Sequence, residues 1–229
     1  ARYNEPYVKV FEEERELTLM LMVDISGSKA YGTQDTFKNE MVTEIAATLA
    51  FSALQNNDKI GLVLFTDQIE LFIPPKKGKS HVLRVIRELL EFKATRTQTD
   101  LAQALKYLSN VMKKKAIVFV LSDFMTPDYK DTLRIVSRKH DVTGIRIYDQ
   151  SEAELPQIGL VEMQDQETGQ RILVQTGSKK AQRAYQEHYQ DTVERFRSTF
   201  NKSGAGTIDC EINESYVKKL LGYFKTRGR

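Results

Sequence analysis

With 229 residues, 41% of them hydrophobic, the chain is long enough to bury a sizeable core and has the composition of a globular protein. Its 34 basic and 31 acidic residues are interspersed and leave a net charge of +3, too small for the basic footprint of a nucleic-acid binder. The single cysteine, Cys210, excludes an internal disulfide framework or a cysteine-based zinc site, and fits a small core residue in the reducing cytoplasm.

The amino terminus, ARYNEPYVKVFEEERE, lacks a methionine and a secretory signal pattern, which leaves room for processing or trimming of a longer protein. Tyr7, Lys9 and Phe11 alternate with Val8 and Val10, a strand pattern suited to a sheet edge. Glu12, Glu13 and Glu14 then mark solvent. Leu17 to Val23 follows as an almost unbroken apolar run. It is far short of the ~20 residues that span a bilayer and typical of a central parallel strand covered on both faces. No other run approaches that length either, so the chain as given reads as soluble.

The run stops at Asp24, Ser26, Gly27 and Ser28. A helix is expected from about Asp35 to Gln55, with Phe37, Met41, Ile45, Thr48, Leu49 and Ser52 at helical spacing. Lys59 to Thr66 reads as a second apolar strand, and Ile69 to Ile73 as an antiparallel partner that Pro74 and Pro75 bring to an end. Helices over His81 to Phe92 and from Leu101 to Met112 flank the polar loop TRTQTD, and Lys113 to Lys115 close the second of them. Ala116 to Leu121 is a further central strand, ending in Ser122 and Asp123. A helix from about Asp128 to Lys139 and a strand from Val142 to Tyr148 complete an alternation of strands and helices.

After Asp149 the texture changes. Gln157 to Met163 and Arg171 to Gln175 read as a hairpin around DQETGQ. A long helix from about Lys179 to Lys202 follows, facing inward with Ala181, Tyr185, His188, Thr192, Phe196 and Phe200. Thr207 to Ile212 is a last short strand, before a helix with Val217, Leu220, Leu221 and Phe224 on its apolar side. The expected fold class is α/β, a doubly wound, mostly parallel open sheet with helices on both faces. We read one domain over residues 1–229, with its core at about 15–150 and a hairpin and helical extension over 151–229.

Open parallel sheets place ligands at the carboxyl ends of their strands. Three strand-to-helix loops would meet there, carrying Asp24, Ser26 and Ser28, then Thr99, then Asp123. Alternate spacing lets the oxygens of Asp24, Ser26 and Ser28 converge, while Gly27 permits the turn. Hydroxyl and carboxylate oxygens suit magnesium or manganese. The bland reading is that Ser, Asp and Gly after a strand are turn and cap residues; Thr99 could equally cap the helix it precedes, and Asp123 could sit in a solvated loop. It is their joint placement on one rim that favours a metal.

These residues carry a resemblance. DISGS, TDLAQAL and LSD are similar to the three parts of the metal-ion-dependent adhesion site of von Willebrand factor A domains. The resemblance implies that Ser26, Ser28 and Thr99 are hydroxyl ligands and that Asp24 and Asp123 complete the coordination. Lys29 departs from it, standing where the family often has an apolar residue. VKVFEEERELTLMLMVDISGS, LPQIGLVEMQDQETGQ and YVKKLLGYFKTR further resemble the bacterial domain-of-unknown-function 58 family. Its members are often encoded beside MoxR-type AAA+ ATPases, which implies an accessory or assembly role alongside such an ATPase.

His81, His140 and His188 lie far apart and outside any ligand-spaced or nucleophile–base motif. No GxxxxGK[ST] or GxGxxG phosphate loop is present. The expected function is therefore a non-enzymatic, metal-dependent interaction module that takes an acidic side chain from a protein partner. The rival is a magnesium-dependent hydrolase of phosphoesters, built on Asp24 and Asp123. No general base or phosphate clamp accompanies those two residues.

Overall fold

A computed structural model describes residues 16–26, 33–164 and 171–227. The strand expected over Tyr7 to Phe11, the site residues Gly27 and Ser28, and Lys29 lie outside them, as does the DQETGQ turn. The apolar runs form the sheet: β1 (Thr18–Asp24), β2 (Lys59–Phe65), β3 (Ile69–Lys76), β4 (Ile117–Ser122), β5 (Asp141–Tyr148) and β8 (Gly206–Glu211) lie in the order β3-β2-β1-β4-β5-β8. All neighbours are parallel except β2 and β3. A second, two-stranded sheet pairs β6 (Leu160–Gln164) with β7 (Arg171–Gln175).

Side chains alternate across a strand, and β1 shows why its sequence is apolar throughout. Leu21 and Val23 enter one core, while Met20 and Met22 enter the other, and all four are buried. The first core lies beneath α1 (Thr33–Gln55), α2 (Lys79–Glu91) and α6 (Tyr216–Arg227). The second is closed by α3 (Leu101–Val111), α4 (Lys130–Lys139) and α5 (Lys179–Lys202). The molecule is thus a three-layer α/β structure, doubly wound around a mostly parallel sheet. No helix among the described residues is long and apolar enough to cross a membrane.

Several boundaries depart from the sequence reading for physical reasons. β3 does not end before Pro74 and Pro75; it continues to Lys76, which pairs with Ile60 after a register shift. Proline lacks an amide donor and is tolerated on an edge strand or at a bulge, and β3 is both an edge and bulged. In α1 the inward face is made by Met41, Ile45, Ala46, Leu49, Ala50 and Ala53, whereas Thr48 and Ser52 are exposed. On α5 the buried residues are Thr192, Phe196, Thr199 and Phe200, and His188 is exposed. On α6 only Leu220 is buried, and Val217, Leu221 and Phe224 remain 44%, 55% and 43% exposed, so its apolar side is largely uncovered.

The segment after Asp149 gives the main sheet its sixth strand, since β8 pairs parallel with β5 from Thr143↔Gly206 to Tyr148↔Glu211. Gly144 lets α5 approach β5. A Cβ there would stand 2.6 Å from Phe200 Cε1 and 2.8 Å from Phe196 Cε2, closer than carbon atoms pack. Cys210 is buried in the first core, where desolvation pushes its thiol up to about 11.

Candidate metal centre at the sheet rim

The parallel strands β1, β2 and β4 end on the same rim, and the loops leaving them are tied together by backbone bonds. Ile25 N–H donates to Phe65 O (3.0 Å), and Asp100 N–H donates to Thr66 O (3.1 Å). Thr126, in the loop after β4, accepts from Leu101 N–H (3.3 Å) and donates to Thr99 O (3.3 Å). The start of α3 is thereby locked to the ends of both β2 and β4. Asp100 caps α3, its carboxylate accepting from Gln103 N–H at 2.9 Å. Capping satisfies an otherwise orphaned helix donor. With Asp100 in that role, Thr99 is left to face the rim.

Asp24 is the hub. Its Oδ1 accepts from the Ser26 amide (3.0 Å), from Ser26 Oγ (2.7 Å) and from Thr99 Oγ1 (3.4 Å), and its Oδ2 accepts from Ser122 Oγ (2.8 Å). Thr99 Oγ1 also donates to Ser26 Oγ at 2.5 Å. Asp24, Ser26 and Thr99 are therefore brought into one cluster, joined by Ser122, which the sequence marked only as the end of a strand. Asp123 lies beside the cluster, close enough for its charge to act on Asp24. Its own Oδ1 accepts from Met125 N–H at 2.9 Å, and its Oδ2 is 3.4 Å from Lys38 Nζ.

The turn that aims Asp123 is strained. Phe124 has φ +62°, a left-handed conformation that costs an L-residue roughly 1 kcal/mol or more. Its N–H donates to Ser122 Oγ at 3.0 Å, and its buried ring stacks on Phe196 with centroids 4.2 Å apart and meets Phe200 edge-on at 5.3 Å. The aromatic cluster under α5 holds the turn in place.

Lys38 and Glu152 belong to the same rim, although no local pattern marks either. Lys38 Nζ is 2.7 Å from Glu152 Oε1, so the ammonium bridges Asp123 and Glu152. Burial opposes its charge, yet the two carboxylates outweigh that and hold its pKa above the ordinary lysine value. Glu152 is itself pushed up by burial, against the pull of Lys38. It sits on a 3₁₀ turn, Gln150–Ala153, capped by Asp149 and steadied by Tyr185, whose hydroxyl donates to Glu152 O at 3.1 Å.

The surroundings of Asp24 disfavour its charged form. Desolvation, reinforced by the charge of Asp123, raises Asp24 from 3.8 to about 6 despite the hydrogen bonds it accepts. Each of those bonds comes from a neutral donor. The donors available are all hard oxygens, the chemistry that magnesium and manganese prefer, so the residues present fit such an ion. Among the described residues no group of three or more His, Cys, Asp or Glu side chains could hold a metal; an ion at this rim depends on the hydroxyls. The three histidines are elsewhere: His140 is buried, with Nδ1 accepting from Ala116 N–H at 3.2 Å, and His81 Nε2 is 2.9 Å from Ile60 O.

A separate cleft of about 350 Å³ lies between β5 and α5, lined by Arg146, Tyr148, Tyr189 and Arg197 among others. Arg146 and Arg197 both pair with Asp209, at 2.6 Å and 3.0 Å.

The family described as Protein of unknown function DUF58 matches residues 1–195. The chain belongs to this family. The uncharacterized protein Rv1480 of Mycobacterium tuberculosis is similar to this DUF58 chain, with 29% identity over 173 residues, 74% of this chain and 54% of the relative. The chain thus spans about half the length of the curated relatives it matches. Among solved structures, the conserved hypothetical protein BatB from Bacteroides thetaiotaomicron has the same fold at a TM-score of 0.53 and 12% identity, over 90% of this chain and 94% of BatB. An aerotolerance-related membrane protein from Bacteroides fragilis likewise gives a TM-score of 0.53 at 13% identity, over 90% and 96% of the two chains. The DUF58 chain therefore shares with these two structures its three-layer α/β fold around a mostly parallel sheet.

Proposed function

We propose that this chain is a metal-dependent protein-interaction module. Asp24, Ser26, Ser28, Thr99 and Asp123 hold magnesium or manganese, and the ion offers its remaining position to an acidic side chain of a protein partner. The observation that carries this reading is the gathering of the Ser26 and Thr99 hydroxyls about the desolvated carboxylate of Asp24 at the rim. A divalent ion held by neutral hydroxyls and two carboxylates retains positive character and accepts an external oxygen readily. We further propose that the partner is a MoxR-type AAA+ ATPase and that the module serves it as an accessory or assembly factor in the cytoplasm. The resemblance named above supports that partner, and the lone buried Cys210 supports the compartment.

Calorimetric titration with magnesium and with manganese tests the site. The wild-type chain should bind one ion, and Ser26→Ala or Thr99→Ala should weaken it by at least about tenfold, the loss of roughly one hydrogen-bond-strength ligand. Wild type silent to both metals would defeat the proposal. Capture of a purified MoxR-type ATPase should be metal-dependent and lost with chelator. Turnover of phosphoesters that requires magnesium and vanishes in Asp24→Ala would instead assign the rim to a hydrolase.

A further inference from the structure

We infer that Lys38 is the resident counter-ion of the rim, and that a divalent cation enters as Lys38 gives up Asp123 and is held by Glu152 alone. The inference rests on the metal reading above and specifies what controls the site. Three observations support it.

Asp123 has one oxygen committed to Met125 N–H, and the other is the one that faces the ammonium. Lys38 therefore occupies the oxygen that a cation would need, directly or through water. Its two carboxylates are also unequal. Glu152 lies at 2.7 Å and Asp123 at 3.4 Å, so the tighter partner is the residue outside the ligand set. Glu152 is moreover placed independently of Lys38, on a turn fixed by Asp149, which accepts from Ser151 N–H at 2.8 Å, and by Tyr185. It can keep the ammonium after Asp123 has let go.

Charge points the same way. Among the described residues, the Lys38 ammonium pairs with Asp123 and Glu152, and the charge of Asp123 acts in turn on Asp24. With all of them ionised the balance is two negative charges, which a divalent cation neutralises and a monovalent one does not. Lys38 is only 18% exposed, against 32% for Asp123 and 29% for Glu152, so its charge is weakly screened at the rim. A like charge so close to a ligand opposes an incoming cation, and Glu152 offsets that opposition by drawing the ammonium away.

The two side chains should therefore act on cation affinity with opposite signs. Magnesium titrations of the full chain would compare wild type with Lys38→Met and Glu152→Gln at low salt, with circular dichroism as the check on folding. Lys38→Met should bind magnesium at least about tenfold tighter and Glu152→Gln at least about tenfold weaker, the difference narrowing at high salt. If both variants bind like wild type, Lys38 is a structural bridge only; the inference fails while the metal reading stands. If wild type is silent and only Lys38→Met binds, the ammonium excludes the ion instead of yielding Asp123 to it, and the inference fails together with the metal reading of the wild-type chain. Silence of all three overturns both readings. Should Lys38→Met fail to fold, Glu152→Gln still decides: unchanged or tighter binding overturns the inference, and weaker binding supports it.

Discussion

Asp24→Asn should stabilise the metal-free protein and at the same time abolish cation uptake. Burial and the neighbouring Asp123 raise the Asp24 carboxyl from 3.8 to about 6, so the folded state holds this proton more tightly than the unfolded chain does. Between those two values the folded state binds more protons, and stability must fall as pH rises. The cost is absent below pH 3.8 and complete above about pH 6. At about 1.4 kcal/mol per pH unit it reaches ~3 kcal/mol at neutrality. Asparagine removes the charge and keeps the shape. Ser26 still donates to the retained oxygen, and Ser122 Oγ, now accepting from the new amide as well as from Phe124 N–H, has the lone pairs to do both. Urea denaturation in chelator should show Asp24→Asn more stable than wild type by up to about 3 kcal/mol at pH 7.5, with the advantage shrinking toward pH 4. Wild type as stable as the variant at pH 7.5 would mean that the carboxylate is well solvated, and the electrostatic case for a cation at the rim would lose its main support.

Phe124→Ala should be the most destabilising single change in the loops around the site. The ring is buried and touches Phe196, Phe200 and Tyr129, and removing such a side chain costs about 3–5 kcal/mol through lost transfer energy and a cavity. For a protein of this size that lowers the melting temperature by on the order of 10 °C. Alanine keeps the cost of the positive φ, whereas glycine does not, so Phe124→Gly should be ~1 kcal/mol less damaging than alanine. Both changes free the turn that aims Asp123 and should weaken cation binding several-fold without altering any ligand. Thermal scans and titrations of the two variants would check this. A loss below 1 kcal/mol for alanine would show that the aromatic cluster does not anchor the turn.

Much of this architecture could be read from local pattern. β1, β2 and β4 announce themselves as apolar runs because both faces are covered, and the period-3.6 stripe of α3 falls on its buried residues Leu101, Ala104, Leu105 and Leu108. The polar ends of β1 and β4, with the TRTQTD loop, could be assigned to one rim by topology alone. What local pattern lacked was everything decided by distant chain. Lys38 reads as an ordinary solvent-facing helix residue until Glu152 is placed opposite it, and Ser122 reads as the end of a strand until Asp24 is its partner. The left-handed Phe124 has no sequence signal, since glycine or asparagine would be the expected occupant. The prolines of β3 lie inside a strand that local pattern would end, because edge or central position is a property of the whole sheet. The apolar stripe of α6 stays largely open, because a stripe does not say how much of it will find a neighbour.

The strand order carries a cost in time. The hydrogen bond from Ser122 to Asp24 closes a separation of 98 residues, and β1 reaches its partner β4 only across that same stretch of chain. At ribosomal rates of about 5–20 residues per second, this apolar strand waits roughly 5–20 s for one of its two neighbours to be synthesised. β2 arrives sooner and covers one side. For the rest of that interval an unpaired, water-averse edge is presented to every other nascent chain nearby. The position that makes β1 the centre of the finished sheet also makes it the segment on which a chaperone would have to act first.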